Sequence, residues 1–306
     1  MSLHSLRSIT VGVPPQHRAA TEAFYTEFGL TPTSAGRFAT TDGGEQLALV
    51  DTPTRRLVEA TFATDDPDDL ARFARRVTDL DVGASVAAEP DALVVIDPPT
   101  GTHFRIVVED RPPTTTRTQA TYNMPGSTER LNERAEGIDR VGPVHPRKLG
   151  HVVLGSPDVE VTRRLIVEGL GFKVSDEVAG IGAFLRCSTD HHNILVQTAP
   201  VPFLHHSSWQ VDDVDEIGRG AGSMLAGHPE RHIWGLGRHY IGSNFFWYLK
   251  DPAGNFAEYS SDMDVIVDDE LWEPQVWSGM KSLMAWGPDV PGPFIAPDDL
   301  ADLVAG

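Results

Sequence analysis

One cysteine, Cys187, is all that this chain of 306 residues contains. A single thiol excludes an intramolecular disulfide and any zinc site built on cysteines, and it fits a reducing compartment. Basic residues are also scarce: 25 Lys and Arg stand against 44 Asp and Glu, a formal net charge of -19. That balance argues against nucleic acid and against an anionic membrane surface as partners. No apolar run approaches the length needed to span a bilayer. The opening MSLHSLRSITVG lacks both the basic start and the apolar core of a secretion signal. The expected location is therefore the cytoplasm. What is present is apolar material: hydrophobic residues make up 40% of the chain, which predicts a globular protein. Its length is enough for two domains with cores of their own.

The chain repeats itself. Residues 5–32 read SLRSITVGVPPQHRAATEAFYTEFGLTP, and residues 148–174 read KLGHVVLGSPDVEVTRRLIVEGLGFKV. Each shows a β-branched strand, a Pro, a helical stretch and a Gly at the helix end. Ala20, Phe24 and Phe28 fall at helical spacing in the first, as do Val161, Leu165 and Ile166 in the second. Gly29 and Gly171 stand where a helix C-cap falls. The halves also close alike, with VVIDPPTGTHFRIVVED and WYLKDPAGNFAEYSSD each running a strand through an Asp-Pro turn into another strand. Ahead of each lies a strand followed by an acidic helix start, EATFATDDPDDLARF and SSWQVDDVDEIGRG, which suits the positive end of a helix dipole. A duplication at so long a period predicts two similar α+β domains of strand–helix–strands units. The expected division is an N-terminal domain over 1–110, a polar linker over 111–147, a C-terminal domain over 148–264 and a tail over 265–306. The tail carries Trp272, Trp277 and Trp286. It is expected to pack on the body, because three Trp side chains are costly to leave in water.

The halves differ in chemistry. In the second, His151, His206 and Glu258 each sit in a segment that reads as a strand: KLGHVVLG, FLHHSSWQV and GNFAEYSS. Two imidazoles and a carboxylate form the facial set that holds a ferrous ion and leaves positions open; manganese accepts similar ligands and ranks second. Laid on the first half, His151 falls on Ser8, His206 on Glu59 and Glu258 on Arg105. The first half therefore lacks the set, and a Glu59–Arg105 ion pair is expected in its place. Alternation along a strand lets one of His205 and His206 face the site, and likewise one of His191 and His192. Taken singly, each of these histidines reads as an ordinary strand residue. His205, His228 and His232 read as structural or surface groups. The pairs Asp212/Asp213 and Asp268/Asp269 read as a helix start and a solvated face.

The stretch GLGRHYIGSNFFWYLKDPAGNFAEYSSD, residues 235–262, resembles the signature of type I extradiol ring-cleavage dioxygenases of the vicinal oxygen chelate (glyoxalase-like) superfamily. It has a His after Gly-Arg, a Tyr closing an aromatic strand, a Pro-x-Gly turn and a Glu before Tyr. The resemblance covers nearly the whole chain, with a vestigial N-terminal domain ahead of a catalytic one. It implies paired βαβββ modules, each pair an open curled mixed sheet around a cavity with helices outside. It implies His151, His206 and Glu258 as metal ligands, and His192, His239 and Tyr248 as catalytic residues around them. His192 is then the acid/base, Tyr248 a donor to a substrate oxygen, and His239 a hydrogen-bond partner of substrate or ligand. The chain departs from the family after its His pair, where Ser207, Ser208 and Trp209 replace a small apolar run. No particular catechol is therefore specified.

The activity implied is dioxygen-dependent opening of a catecholic ring beside its two hydroxyls, in aromatic catabolism, by a homo-oligomer. Two rivals share the scaffold. One is a glyoxalase-type isomerase or transferase using zinc, nickel or manganese. The other is a ligand-sequestering module, a class that usually loses the metal ligands this chain keeps.

Overall fold

The computed structural model describes residues 2–113 and 115–305. The expected domain limits at residues 1 and 306, and residue 114 of the expected linker, lie outside the described residues.

Two mixed sheets form the framework of the chain. The first contains β1 (Leu3–Val13), β2 (Thr31–Ser34), β3 (Arg37–Thr40), β4 (Gly44–Asp51), β5 (Arg56–Thr64), β6 (Ser85–Glu89), β7 (Ala92–Ile96) and β8 (His103–Val108). Their order is β2-β3-β4-β1-β5-β8-β7-β6. The second contains β9 (Lys148–Ser156), β10 (Lys173–Val178), β11 (Gly182–Arg186), β12 (Ile194–Thr198), β13 (Phe203–Gln210), β14 (His232–Arg238), β15 (Phe245–Lys250) and β16 (Phe256–Ser261). Here the order is β10-β11-β12-β9-β13-β16-β15-β14, with the short β17 (Gln275–Trp277) added beside β10. The two orders are the same. Each sheet is two βαβββ modules joined through an antiparallel centre, β1 on β5 and β9 on β13. The architecture is α+β, and among the described residues neither sheet closes into a barrel.

Local chemistry explains the helices between the strands. Asp213 caps Val214–Leu225, its carboxylate accepting from the Glu216 amide at 3.1 Å. That helix buries Ile217, Ala221 and Met224. Gly220 is required there, because a Cβ would come within 2.9 Å of the Tyr259 ring. In the first half, Asp68–Leu80 turns Phe73 and Val77 into the core.

The core is continuous across the halves. Phe28 stacks on Tyr259 with centroids 3.9 Å apart, and Phe62 meets Phe172 edge-on at 4.9 Å. The two Asp-Pro turns are used reciprocally. Asp97 accepts from Thr162 of the second half at 2.9 Å, and Asp251 accepts from Tyr25 of the first at 3.4 Å. Among the described residues no helix is long and apolar enough to cross a membrane.

Candidate metal centre

Sheet register builds the site. His151 on β9 pairs with Ser208 on β13, Ser208 pairs with Glu258 on β16, and Glu258 pairs with Tyr248 on β15. These four side chains therefore share one face of the sheet. His206 lies two residues from Ser208 and joins the same face. Tyr259, one residue on from Glu258, points the other way and donates to the Phe28 carbonyl at 2.7 Å.

The result is a tight cluster. Nε2 of His151 lies 3.3 Å from Nε2 of His206 and 3.2 Å from Oε2 of Glu258, and His206 Nε2 is 3.6 Å from the same oxygen. All three residues are buried, and one candidate ligand atom from each lies within 4.8 Å of the others. Glu258 Oε2 receives no hydrogen bond. Its partner Oε1 accepts from Asn244 Nδ2 at 3.2 Å. Burial holds the His206 imidazole well below its ordinary pKa, so its ring offers a lone pair rather than a second N–H. A buried carboxylate oxygen without a donor, flanked by two imidazole nitrogens, is a costly arrangement unless a cation completes it. The donor set fits a divalent metal with open positions.

The same positions in the first half hold different chemistry. Ser8 pairs with Thr61, and Thr61 with Arg105, in the register that His151, Ser208 and Glu258 follow. Glu59 stands where His206 does. Arg105 reaches Glu59 at 3.4 Å and Glu89 at 2.8 Å. A guanidinium and an ion pair occupy the place of the cluster.

Around the cluster lies a cavity of about 100 Å³. Val153, Val178, Ile181, Phe184, Leu195 and Ile241 form much of its apolar wall, and His151, His192, His206, His239 and Tyr248 supply its polar side. His192 lies with its ring 4.1 Å from that of His151, and burial pushes its pKa well down. Its Nδ1 meets Nδ1 of His191 at 3.1 Å. His191 turns outward from the cavity to Asp176, 3.2 Å from Nε2. His239 donates from Nδ1 to the Leu283 carbonyl at 2.5 Å, so its Nε2 accepts from the Tyr248 hydroxyl at 2.8 Å. Burial lowers the His239 pKa, and burial beside Glu258 raises that of Tyr248 well above its usual value. Tyr248 is also packed among Trp234, Phe246 and Phe294.

His191 and His192 lie in the loop ahead of β12 rather than on a strand, so alternation does not govern them, and it fails for the pair on β13. His192 lines the cavity and His191 does not, but both His205 and His206 line it. The ladder between β13 and β9 shifts register between Leu204 and His206, and that irregularity re-aims His205. His205 is buried, with its pKa lowered to about 4 by burial. Its Nε2 donates to the Phe294 carbonyl at 2.7 Å. His228 pairs with Glu230 in an exposed contact, and His232 accepts from the Trp247 indole.

The tail contributes in ways that sequence reasoning missed. Ser282, Leu283 and Phe294 line the cavity. Trp272 donates to the Ser175 carbonyl at 2.8 Å, Trp277 packs on Tyr240, and Trp286 remains 48% exposed. Asn244 was also missed; nothing in IGSNFFWY marks it as a partner of Glu258. None of Ser207, Ser208 and Trp209 lines the cavity, although Ser208 shares the sheet face of the ligands. Trp209 is buried in the core and donates to Ser207, and Ser208 donates to Ser260.

Comparison with known proteins adds to this geometry. The profile of the Glyoxalase/Bleomycin resistance protein/Dioxygenase superfamily matches residues 148–259. Metapyrocatechase 2 of Cupriavidus necator is 39% identical over 159 residues, which is 51% of this chain and 49% of that protein. The chain thus spans about half the length of the curated relatives it matches. The Mn(II)-bound glyoxalase of Novosphingobium aromaticivorans superposes with a TM-score of 0.72 at 25% identity, covering 95% of both chains. Homoprotocatechuate 2,3-dioxygenase of Arthrobacter globiformis gives a TM-score of 0.75 at 18% identity, over 96% of this chain and 91% of that one, and speaks to the fold alone. Residues 148–259 are thus similar to the Glyoxalase/Bleomycin resistance protein/Dioxygenase superfamily, and the chain shares the fold of these solved neighbours over nearly its whole length.

Proposed function

We propose that the protein opens a catecholic ring next to its two hydroxyls with dioxygen, at a divalent metal held by His151, His206 and Glu258. The observation that carries this reading is the donorless Glu258 Oε2 set against two imidazole nitrogens at the end of a small apolar cavity. We take the ion to be Fe(II), with Mn(II) as second choice. A redox-active ion supplies electron transfer between an electron-rich ring and dioxygen, and zinc does not. On this reading 148–264 is the catalytic domain, 1–110 a vestigial partner without a metal site, 111–147 the linker and 265–306 a tail packed on the body. Association into a homo-oligomer and a cytoplasmic setting belong to the same proposal.

The chain's own groups then divide the work. His192, kept neutral by burial, takes a proton from a substrate hydroxyl and later returns one. Tyr248 and His239 form a hydrogen-bonded pair with its hydroxyl at the cavity wall, poised to switch its donation to a substrate oxygen. The apolar wall excludes water and orients a flat ring, so that reacting groups meet without the entropic cost of finding each other. The test is oxygen uptake and yellow product formation by Fe(II)-loaded protein across mono- and bicyclic catechols. Activity that survives Glu258→Ala would sink the reading.

A second reading is a metal-dependent isomerase of glyoxalase type, favoured by the likeness over 95% of both chains to the N. aromaticivorans protein. It predicts no oxygen uptake with any catechol.

A further inference from the structure

Two adjacent histidines meet beside the cluster through the same ring atom. His205 Nδ1 and His206 Nδ1 lie 2.8 Å apart, so one proton sits between them. The far nitrogen of His205 decides which ring carries it. Nε2 of His205 lies 2.7 Å from the Phe294 carbonyl, a group that only accepts, so this nitrogen is N–H. The ring is packed against Phe256 and Phe294, with centroids at 5.3 and 4.9 Å, an apolar setting that disfavours a second proton. His205 Nδ1 is then an acceptor, and His206 donates from Nδ1. That leaves the lone pair of His206 on Nε2, the atom facing His151 and Glu258.

We propose that His205 is a positioning residue that locks His206 in the Nδ1–H tautomer, and that the C-terminal tail, through the Phe294 carbonyl, sets the metal affinity of the site. The inference rests on the metal reading above. A free imidazole samples both tautomers, and the wrong one turns an N–H toward the cation. Outer hydrogen bonds that fix a ligand imidazole typically matter by about 10–100-fold in metal affinity.

The tail is held to this relay by the other half of the chain. Arg55, 2% exposed, donates from Nε and Nη2 to the Asp299 carboxylate at 2.5 and 2.8 Å. Its Nη1 donates to the carbonyl of Leu204, the residue before His205, at 2.5 Å. One guanidinium from the loop between β4 and β5 thus clamps the tail and the strand that carries the histidine pair. The hydrogen-bonded path runs from Phe294 through His205 to His206, and Arg55 fixes both of its supports.

The test is Mn(II) affinity of the full chain, read from the electron paramagnetic resonance of the free ion, with thermal unfolding as a control for folding. His205→Phe keeps a ring but offers no acceptor. His205→Asn places an oxygen where Nδ1 stood. The expected result is a dissociation constant about 10–100-fold weaker for His205→Phe and within about threefold of wild type for His205→Asn. Nitrogen NMR of ¹⁵N-histidine in metal-free protein should report His206 as Nδ1–H in wild type and as a tautomer mixture in His205→Phe. Asp299→Ala should weaken Mn(II) binding in wild type but not in His205→Phe; equal losses in both backgrounds would overturn the role of the tail. Equal affinity of His205→Phe and wild type, or equal loss in both His205 variants, would overturn the role of His205. A wild type that binds no Mn(II) would overturn the metal reading first.

Discussion

Glu258 carries a cost whenever no cation sits against it. One oxygen accepts from Asn244 and the other has no donor, at a position with no exposure. An unsatisfied buried polar atom costs about 1–3 kcal/mol, and more when charged. Glu258→Gln should therefore raise the melting temperature of the metal-free protein. The same change should abolish most of the stabilisation that added Mn(II) gives the wild type, which for one site is about 2.7 kcal/mol at a hundredfold excess over the dissociation constant. Thermal scans with chelator and with Mn(II) check both halves of the expectation. His192 stands differently. It touches the His151 ring but is not one of the three clustered ligands. His192→Phe should lower kcat by about 10²–10⁴-fold while metal content stays at the wild-type level, measured by oxygen uptake and elemental analysis.

The elements decide which side chains can meet. Pairing of β9, β13, β16 and β15 sets His151, Ser208, Glu258 and Tyr248 in one row, and a one-residue slip of any strand would turn its member to the opposite face. Support for β16 comes from the helix Val214–Leu225, where Gly220 makes room for the Tyr259 ring. Gly220→Ala gains about 1 kcal/mol of helix propensity but forces a methyl to within 2.9 Å of that ring. Overpacking of a closed core costs about 1–3 kcal/mol. The net expectation is a destabilisation of up to about 2 kcal/mol in urea unfolding, rather than the gain that an open helix site would show.

Across the whole molecule the duplication is reciprocal, and it has a pH signature. Asp97 and Asp251, from equivalent turns, are both buried and each accepts a hydrogen bond from the opposite half. Burial raises both carboxyl pKa values above the ordinary range. A raised carboxyl pKa means that the folded state resists ionisation more than the unfolded state does. The resulting penalty is fully present above the folded pKa and disappears as pH falls below the unfolded value. Asp97→Asn removes that penalty at one turn. The difference in melting temperature, variant minus wild type, should therefore be more favourable at pH 7 than at pH 4. An unchanged difference across that range would count against a raised Asp97 pKa in the folded protein.

Much of this architecture was legible in the amino-acid order because its signals are local. Strand alternation, helix spacing, Asp-Pro turns and acidic helix starts recur in both halves, and the repeat of the pattern is what makes the α+β modules readable. His151, His206 and Glu258 stand out by the same logic, since their counterparts Ser8, Glu59 and Arg105 cannot bind a cation together. Other features depend on contacts between residues far apart in the chain. The register shift beside Leu204 has no marker in FLHHSSWQV, yet it brings His205 to the cavity. Phe294 reaches His205 across 89 positions, and Arg55 reaches Asp299 across 244. Periodicity determined the strands and the ligand face because each depends on neighbours a few residues away. Only tertiary structure decided how the cavity is closed and which tautomer its histidines hold, because those hydrogen bonds form when distant segments pack.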